Sequence, residues 1–248
     1  MARRKSLAFL DVGQGDCFVA DTKSGAIIFD GGSSSEDQVG RYRILPYMKY
    51  LGYQKIQIAV ISHMDIDHYS GIKELLEMGK IKYLGLPEIP KDETMKKIIG
   101  IAKKRGTTIF YLSRGRQITT KDGSLKVLHP QKNSRMEKNA ASLVMQGKIL
   151  GYRVLLTGDV EKEGEEELLS EELERADILK VAHHGSKNST SNEFLQKVQP
   201  KQTVISCGKQ NRYGHPHLET IHRLQTYHTK IYRTDRSGAI IFFKRRDG

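Results

Sequence analysis

A chain of 248 residues, 38% hydrophobic and 28% charged, has ample material for a buried core in one large domain or two small ones. No apolar run approaches the roughly 20 residues of a membrane helix, and the basic start at Arg3-Arg4-Lys5 leads straight into a strand rather than a signal-peptide apolar region, so the chain is expected to be soluble as given. The formal net charge of +12 suits polyanionic partners such as nucleic acid, teichoic acid or an anionic membrane surface.

Strands are predicted over Leu7–Asp11 and Cys17–Asp21, joined by the glycine-bearing turn Val12-Gly13-Gln14-Gly15-Asp16, and over Ala26–Asp30, left through Gly31-Gly32. A helix follows over Val39–Leu51, with Pro46 disturbing its early turns. Ile56–Ile61, mostly apolar and β-branched, reads as a buried strand, and Ser70 can cap a helix running through Met78. Lys82–Leu86 is a strand and Glu93–Arg105 a basic helix stopped by Gly106. Short strands at Ile109–Leu112, Gln117–Thr120 and Leu125–Leu128 follow, the last two bracketing the turn Lys121-Asp122-Gly123.

Gln131–Asn139 is polar and reads as a loop. Ser142–Gln146 and Tyr152–Thr157 form another hairpin pair, and Glu161–Leu173 is an acidic helix. Asp177–Ala182 is a strand, Asn192–Val198 a helix, Thr203–Ser206 a strand and Leu218–Tyr227 a helix. Ile231–Arg233 and Ala239–Phe243 close the chain. Strands cluster and then alternate with helices, twice over. This pattern predicts one α/β domain over residues 1–248, built of two similar halves with two sheets face to face and helices outside.

Three strand ends carry chemistry. The first holds His63, Asp65, Asp67 and His68; the second holds Asp159, after Thr157-Gly158; the third holds His183 and His184. Residues at successive strand ends of an open sheet can converge in space. Together they offer enough ligands for two divalent ions, with a carboxylate such as Asp159 able to bridge them. Asp159 could also merely cap the following helix. Either His183 or His184 can face a metal, and alternation along the strand end favours His183. Cys17 and Cys207 lack zinc-finger spacing and read as buried free thiols, so a metal must rely on histidine and carboxylate.

These residues also carry a resemblance. His-x-Asp-x-Asp-His at 63–68, Leu-Leu-Thr-Gly-Asp at 155–159 and Val-Ala-His-His-Gly-Ser at 181–186 resemble the metallo-β-lactamase superfamily. Phe9–Asp16, Asp30-Gly31-Gly32, Tyr213-Gly214-His215-Pro216-His217 and Tyr232–Asp235 before Ser237-Gly238 resemble, more narrowly, the soluble domain of the DNA-internalisation competence proteins, the ComEC family. The resemblance runs from residue 7 to about 243. It implies a four-layer αββα sandwich of two mixed sheets with helices outside, a metal site between the sheets, and a nuclease acting on DNA. It further implies a role in degrading the strand not taken up, beside a membrane channel portion of the same or a partner protein. The limits of the chain fit a domain cut from a larger bacterial membrane protein or a free-standing relative.

Two departures from the wider superfamily stand out. Asp65 replaces a histidine, and no clear histidine completes the first site before Asp159. His129 comes too early, and Asn139 and Ser142 occupy the region in question. The oxygen-rich set favours manganese or magnesium over zinc.

By the resemblance, His63 and Asp65 hold the first ion, Asp67, His68 and His183 or His184 the second, and Asp159 bridges, while Asp67 also orients the attacking water. His215 is a candidate for protonating the leaving oxygen or holding the phosphate. Lys187, Lys209, Arg212, His217, Arg233 and Arg236 are candidates for gripping DNA, single-stranded DNA above all. Asp11, Gly13, Gln14, Gly15, Asp16 and Asp30 read as architectural. Rival readings are a phosphodiesterase acting on a small or cell-wall ester, and a DNA-binding module with a degenerate metal site.

Overall fold

The computed structural model describes residues 3–136 and 138–245. Fourteen strands in the described residues form two seven-stranded mixed sheets. The first contains β1 (Ser6–Phe9), β2 (Phe18–Thr22), β3 (Gly25–Phe29), β4 (Ile56–Val60), β5 (Ile81–Pro87), β6 (Thr108–Leu112) and the returning β14 (Ile240–Phe243), in the order β14-β1-β2-β3-β4-β5-β6. The second contains β7 (Gln117–Thr120), β8 (Gly123–His129), β9 (Val144–Ile149), β10 (Tyr152–Leu156), β11 (Ile178–Lys180), β12 (Gln202–Ile205) and β13 (Lys230–Arg233), in the order β13-β12-β11-β10-β9-β8-β7.

The two-residue period of the strands sorts the core into layers. Ile27 and Phe29 join Phe9, Phe18, Val127, Met145, Val154 and Leu156 between the sheets. Their neighbours Ala26 and Ile28 turn the other way, onto α1 (Leu45–Tyr50), α2 (Ile66–Glu77) and α3 (Glu93–Lys104). On the far side Leu155 and Leu179 pack under α4 (Lys162–Leu169), α5 (Asn192–Val198) and α6 (Leu218–Thr226). The result is the αββα order of layers. Cys17 and Cys207 are free and buried, and no helix among the described residues is long and apolar enough to cross a membrane.

Strands β3 to β6 run parallel in one sheet and β10 to β13 in the other. Parallel strands place their carboxyl ends on a common edge, and there the loops after β3, β4, β10, β11 and β12 meet. Two glycines make the meeting possible. A Cβ on Gly15 would lie 2.2 Å from the Gly32 carbonyl oxygen, and one on Gly32 would lie 2.6 Å from the Asp67 carbonyl carbon. With no side chain in the way, the Asp16 N–H reaches the Asp67 carbonyl at 3.0 Å and the Gly31 N–H reaches that of His68 at 2.9 Å. The turn at Gly13–Asp16 therefore props the first ligand loop, and Asp11 accepts the Gly13 N–H within it.

Several boundaries differ from the predicted ones. Helix α2 begins at Ile66, with Asp65 at the N-cap position, so Ser70 lies inside the helix; the Ser70 Oγ instead accepts the Ser33 N–H at 2.9 Å. The helix expected over Val39–Leu51 opens as a π-helical stretch, Gly40–Ile44, before α1. Helix α4 stops at Leu169, because the Ser170 hydroxyl bonds back to the Glu167 carbonyl and offers that oxygen a partner outside the helix. The polar stretch before β9 contains a 3₁₀ turn, Lys138–Ala141, and Glu137 within it lies outside the described residues. A short helix α7 (Thr234–Ser237) precedes β14.

These contacts predict opposite effects for two glycine substitutions. Gly15→Ala should lower stability by about 1–3 kcal/mol through the forced backbone clash. Gly100→Ala, in α3 with nothing within 4 Å of the added methyl, should raise it by about 0.5–1 kcal/mol. Paired thermal melts of the two variants test this, and a neutral Gly15→Ala would contradict the close packing described.

Candidate metal centre

The loop after β4 brings His63 and His68 side by side, ring centroids 4.1 Å apart, and His184 stands 5.5 Å from His68. Each ring is fixed through Nδ1. For His63 that atom lies 3.0 Å from the Ser62 hydroxyl and 3.2 Å from that of Ser142. For His68 it meets Asp30 Oδ2 at 3.0 Å, and for His184 it donates to the Ser206 carbonyl at 2.9 Å. Holding Nδ1 in this way is how metal-binding histidines are oriented. Asp30 itself is fixed by the Ser62 N–H at 2.7 Å, which makes it the buttress expected.

The three Nε2 atoms face one another and Asp159. Asp159 Oδ2 lies 3.1 Å from His68 Nε2, 3.3 Å from His184 Nε2 and 3.9 Å from His183 Nε2. Asp67 Oδ2 lies 3.3 Å from His184 Nε2, and Asp65 Oδ2 lies 3.7 Å from His63 Nε2. Ligand atoms of His63, His68 and Asp159 lie within 4.8 Å of one another, as do those of Asp67, His68 and His184. The Nε2 atoms of His63, His68 and His184 are buried with no aligned hydrogen-bond partner. Buried polar atoms are ordinarily well partnered, so three imidazole nitrogens that converge on one carboxylate without aligned hydrogen bonds fit divalent ions. His63, Asp65 and Asp159 would hold one, and Asp67, His68, His184 and Asp159 the other. Asn139 Oδ1 is also buried without a partner. His129 bonds instead to the Ala140 carbonyl at 2.7 Å.

The strand-end alternation that favours His183 fails here. Strand β11 ends at Lys180, and His183 and His184 both adopt positive φ, 47° and 52°, in a tight left-handed turn. That twist sends His184 inward, 1% exposed, and leaves His183 at the rim, its Nδ1 2.9 Å from Glu161.

Two further residues belong to the cluster. Lys180 is buried between the sheets; its ammonium contacts Asp16, donates to the Gly158 carbonyl at 3.1 Å and lies 3.6 Å from Asp159 Oδ1. Asp16 also lies 3.6 Å from His184 Nδ1 and 3.7 Å from His68 Nδ1. The one sequence signal for Lys180 is a charged residue at an inward position of an apolar strand.

The charges explain one another. Burial alone would raise the Asp67 carboxyl, but contact with His184 and the charge on His68 hold it down at about 2. Burial disfavours charge on His184, yet Asp159 and Asp16 raise it to about 10. His68 is raised in the same way by Asp159 and Asp30, whereas burial and the neighbouring His68 push His63 well down. Burial and the flanking histidines lower His215 to about 4.

A cleft of about 320 Å³ opens over the cluster, lined by Asp65, Asp67, His184, Arg212, Tyr213 and His215 among others. The expected DNA-gripping residues divide. Arg212 lines this cleft. His217 sits at the start of α6, where its Nδ1 accepts the Lys187 N–H at 3.0 Å. Lys187 and Lys209 are exposed. Arg233 is tied to Asp235 at 2.7 and 2.9 Å and lines, with Arg236, a separate groove beside Leu218.

Facing mixed sheets, outer helices and a His/Asp cluster at their seam define a metal-dependent hydrolase fold. Residues 10–209 match the metallo-beta-lactamase superfamily, and the chain belongs to that family. It is 37% identical to ComE operon protein 3 of Bacillus subtilis strain 168, over 96% of this chain and 33% of that protein. It is 30% identical to competence protein ComA of Neisseria gonorrhoeae, over 96% and 32%. The chain thus spans about a third of the length of these curated relatives. Among solved structures, the metallo-beta-lactamase fold protein YhfI from Bacillus subtilis superposes with a TM-score of 0.62 at 13% identity, covering 95% of this chain and 99% of that one, a likeness of fold alone.

A stability profile follows from two of these shifts. His184, raised from 6.5 to about 10, contributes stability that is complete below its unfolded value and is lost as pH climbs through 10. Asp67, lowered from 3.8 to about 2, contributes stability present above its unfolded value and lost as pH falls through 2. Melts of chelator-treated protein should show Tm declining from about pH 7 to about pH 10, and His184→Gln should flatten that decline. Equal declines in both proteins would contradict the pairing.

Proposed function

We propose that this chain is a metal-dependent nuclease that hydrolyses DNA phosphodiesters, single-stranded DNA above all, and that it degrades the strand not carried inward during DNA uptake. The observation that carries the reading is the convergence of three buried imidazole nitrogens, none with an aligned hydrogen bond, on Asp159. The competence proteins among its relatives and the net charge of +12 support DNA as the substrate. In this reading a membrane channel, in the same longer protein or in a partner, delivers the strand at the face of a bacterial membrane.

Two divalent ions, manganese favoured over zinc or magnesium by the oxygen-rich donors, would supply Lewis acidity toward the phosphate and a hydroxide at neutral pH. The chain's own residues supply the rest. Asp67, ionised at neutral pH, orients the attacking water by accepting a hydrogen bond from it. Lys180 neutralises Asp16 and leaves Asp159 Oδ2 turned toward the imidazoles. His215, half-buried at the rim with its Nδ1 unpartnered, holds the phosphate or protonates the leaving oxygen; its depressed pKa favours the first role. Arg212 in the cleft wall neutralises a neighbouring phosphate.

Incubation with single-stranded DNA should give cleavage in manganese and none in chelator. Asp67→Ala should reduce the rate about 10²–10⁴-fold while the far-UV circular dichroism stays that of the folded protein. Turnover of a small phosphodiester with DNA left intact would replace this reading with the small-ester one. A fully active Asp67→Ala would refute the assignment of Asp67.

A further inference from the structure

The loop between Gly208 and His217 presents an aromatic side chain for which the phosphate chemistry has no use. Asn211 closes this loop on itself: its Oδ1 accepts the His215 N–H at 3.0 Å, and its Nδ2 donates to the carbonyls of Gly208 at 2.9 Å and His215 at 2.6 Å. The base of the loop is anchored to the opposite half of the molecule by the Gly208 N–H, which donates to Gln14 Oε1 at 3.1 Å. Tyr213, at the tip, is therefore held in a set place. Its ring lies nearly parallel to that of His215, 21° between planes and 5.6 Å between centroids. His215 in turn stands 6.1 Å from His184 of the metal cluster.

Tyr213 lines the cleft yet remains 44% exposed. An exposed tyrosine backed by a second ring does little for the core. The Arg212 guanidinium lies 4.8 Å from the Tyr213 ring centroid and donates to its hydroxyl at 2.6 Å. Two near-parallel rings, with the Arg212 charge held at the hydroxyl end of the outer one, thus stand beside the cluster. Aromatic and guanidinium planes next to a positive groove are how proteins hold single-stranded nucleic acid, because every base offers a π-face whatever its identity. A base inside a duplex is covered above and below by its neighbours and cannot reach such a plane unless it is first unstacked.

We infer that Tyr213, backed by His215 and flanked by Arg212, is the stacking platform for the base of the nucleotide adjacent to the scissile phosphate, and that it selects unpaired strands. This inference rests on DNA being the substrate. Its physical content is separable from catalysis, since stacking contributes to affinity whether or not the phosphate is cleaved.

The test is fluorescence anisotropy with metal-free protein at low salt. The probes are a short single-stranded oligonucleotide, a fully abasic sugar-phosphate strand of the same length, and the duplex of the same sequence. Wild-type protein should prefer the intact strand over the abasic one by about 5–100-fold, and should bind the duplex more weakly than the intact strand. In Tyr213→Ala that preference should collapse toward one, whereas Tyr213→Phe and Tyr213→Trp, which keep a ring, should retain it. An unchanged preference in Tyr213→Ala, or no preference in the wild type, would overturn the inference. If the preference appears and depends on Tyr213 while manganese produces no cleavage, the nuclease reading fails and the platform stands.

Discussion

Everything at the seam of the two sheets answers to the cost of burying carboxylates. Asp16, Asp30 and Asp159 are all nearly inaccessible to water, and Asp67 is largely so. A buried carboxylate without a counter-charge costs several kcal/mol. One fixed cation, Lys180, lies among them. Among the described residues the remaining negative charge faces chiefly imidazoles, and those imidazoles have their Nδ1 atoms already engaged. Without metal the balance falls to protons on His68 and His184, which is why both are raised so far. Divalent cations would relieve the same charge and release those protons, so metal binding and protonation compete for one set of atoms.

The cluster exists only because two halves of the chain face each other. One sheet contributes His63, Asp65, Asp67 and His68 after β4; the other contributes Asp159 after β10 and His184 after β11. Backbone contacts lock the halves together close to these residues. The Ser206 hydroxyl donates to the Gly15 carbonyl at 2.8 Å, and the Gly208 N–H reaches Gln14. The early turn at Gly13–Asp16 therefore serves both sheets at once, propping the first ligand loop and clasping the loop that follows β12. An apolar contact area between the sheets stabilises the sandwich, but these few polar ties set the register of one ligand loop against the other.

Much of this was legible in the sequence, and the limits are physical. The strand into His63 was readable because Ile56–Ile61 is apolar and β-branched and stops at four good ligands. The layers were readable because strands and helices alternate twice. Local signals failed where tertiary contacts overrode them. Ser70 looks like a cap, but the helix starts at Ile66 once Gly31 and Gly32 pack against its first turn. Alternation pointed to His183, but a strand rule cannot hold through two residues at positive φ. Lys180 is not legible as a site residue, because a lysine next to apolar residues reads as solvated and the carboxylates around it come from other loops. Arg233 looked available for phosphate until Asp235 closed on it. Tyr213 gave no signal beyond its neighbours, since its value lies in the ring behind it and the cleft in front.

The most direct test of the account is a crystal structure of the protein soaked in manganese, with anomalous scattering used to place the ions. Two ions about 3.5–4 Å apart and sharing Asp159 are expected, one bound by His63 and Asp65 and the other by Asp67, His68 and His184. Ions bound elsewhere, or none at saturating manganese with the Nε2 atoms of these histidines engaged by protein groups, would contradict it.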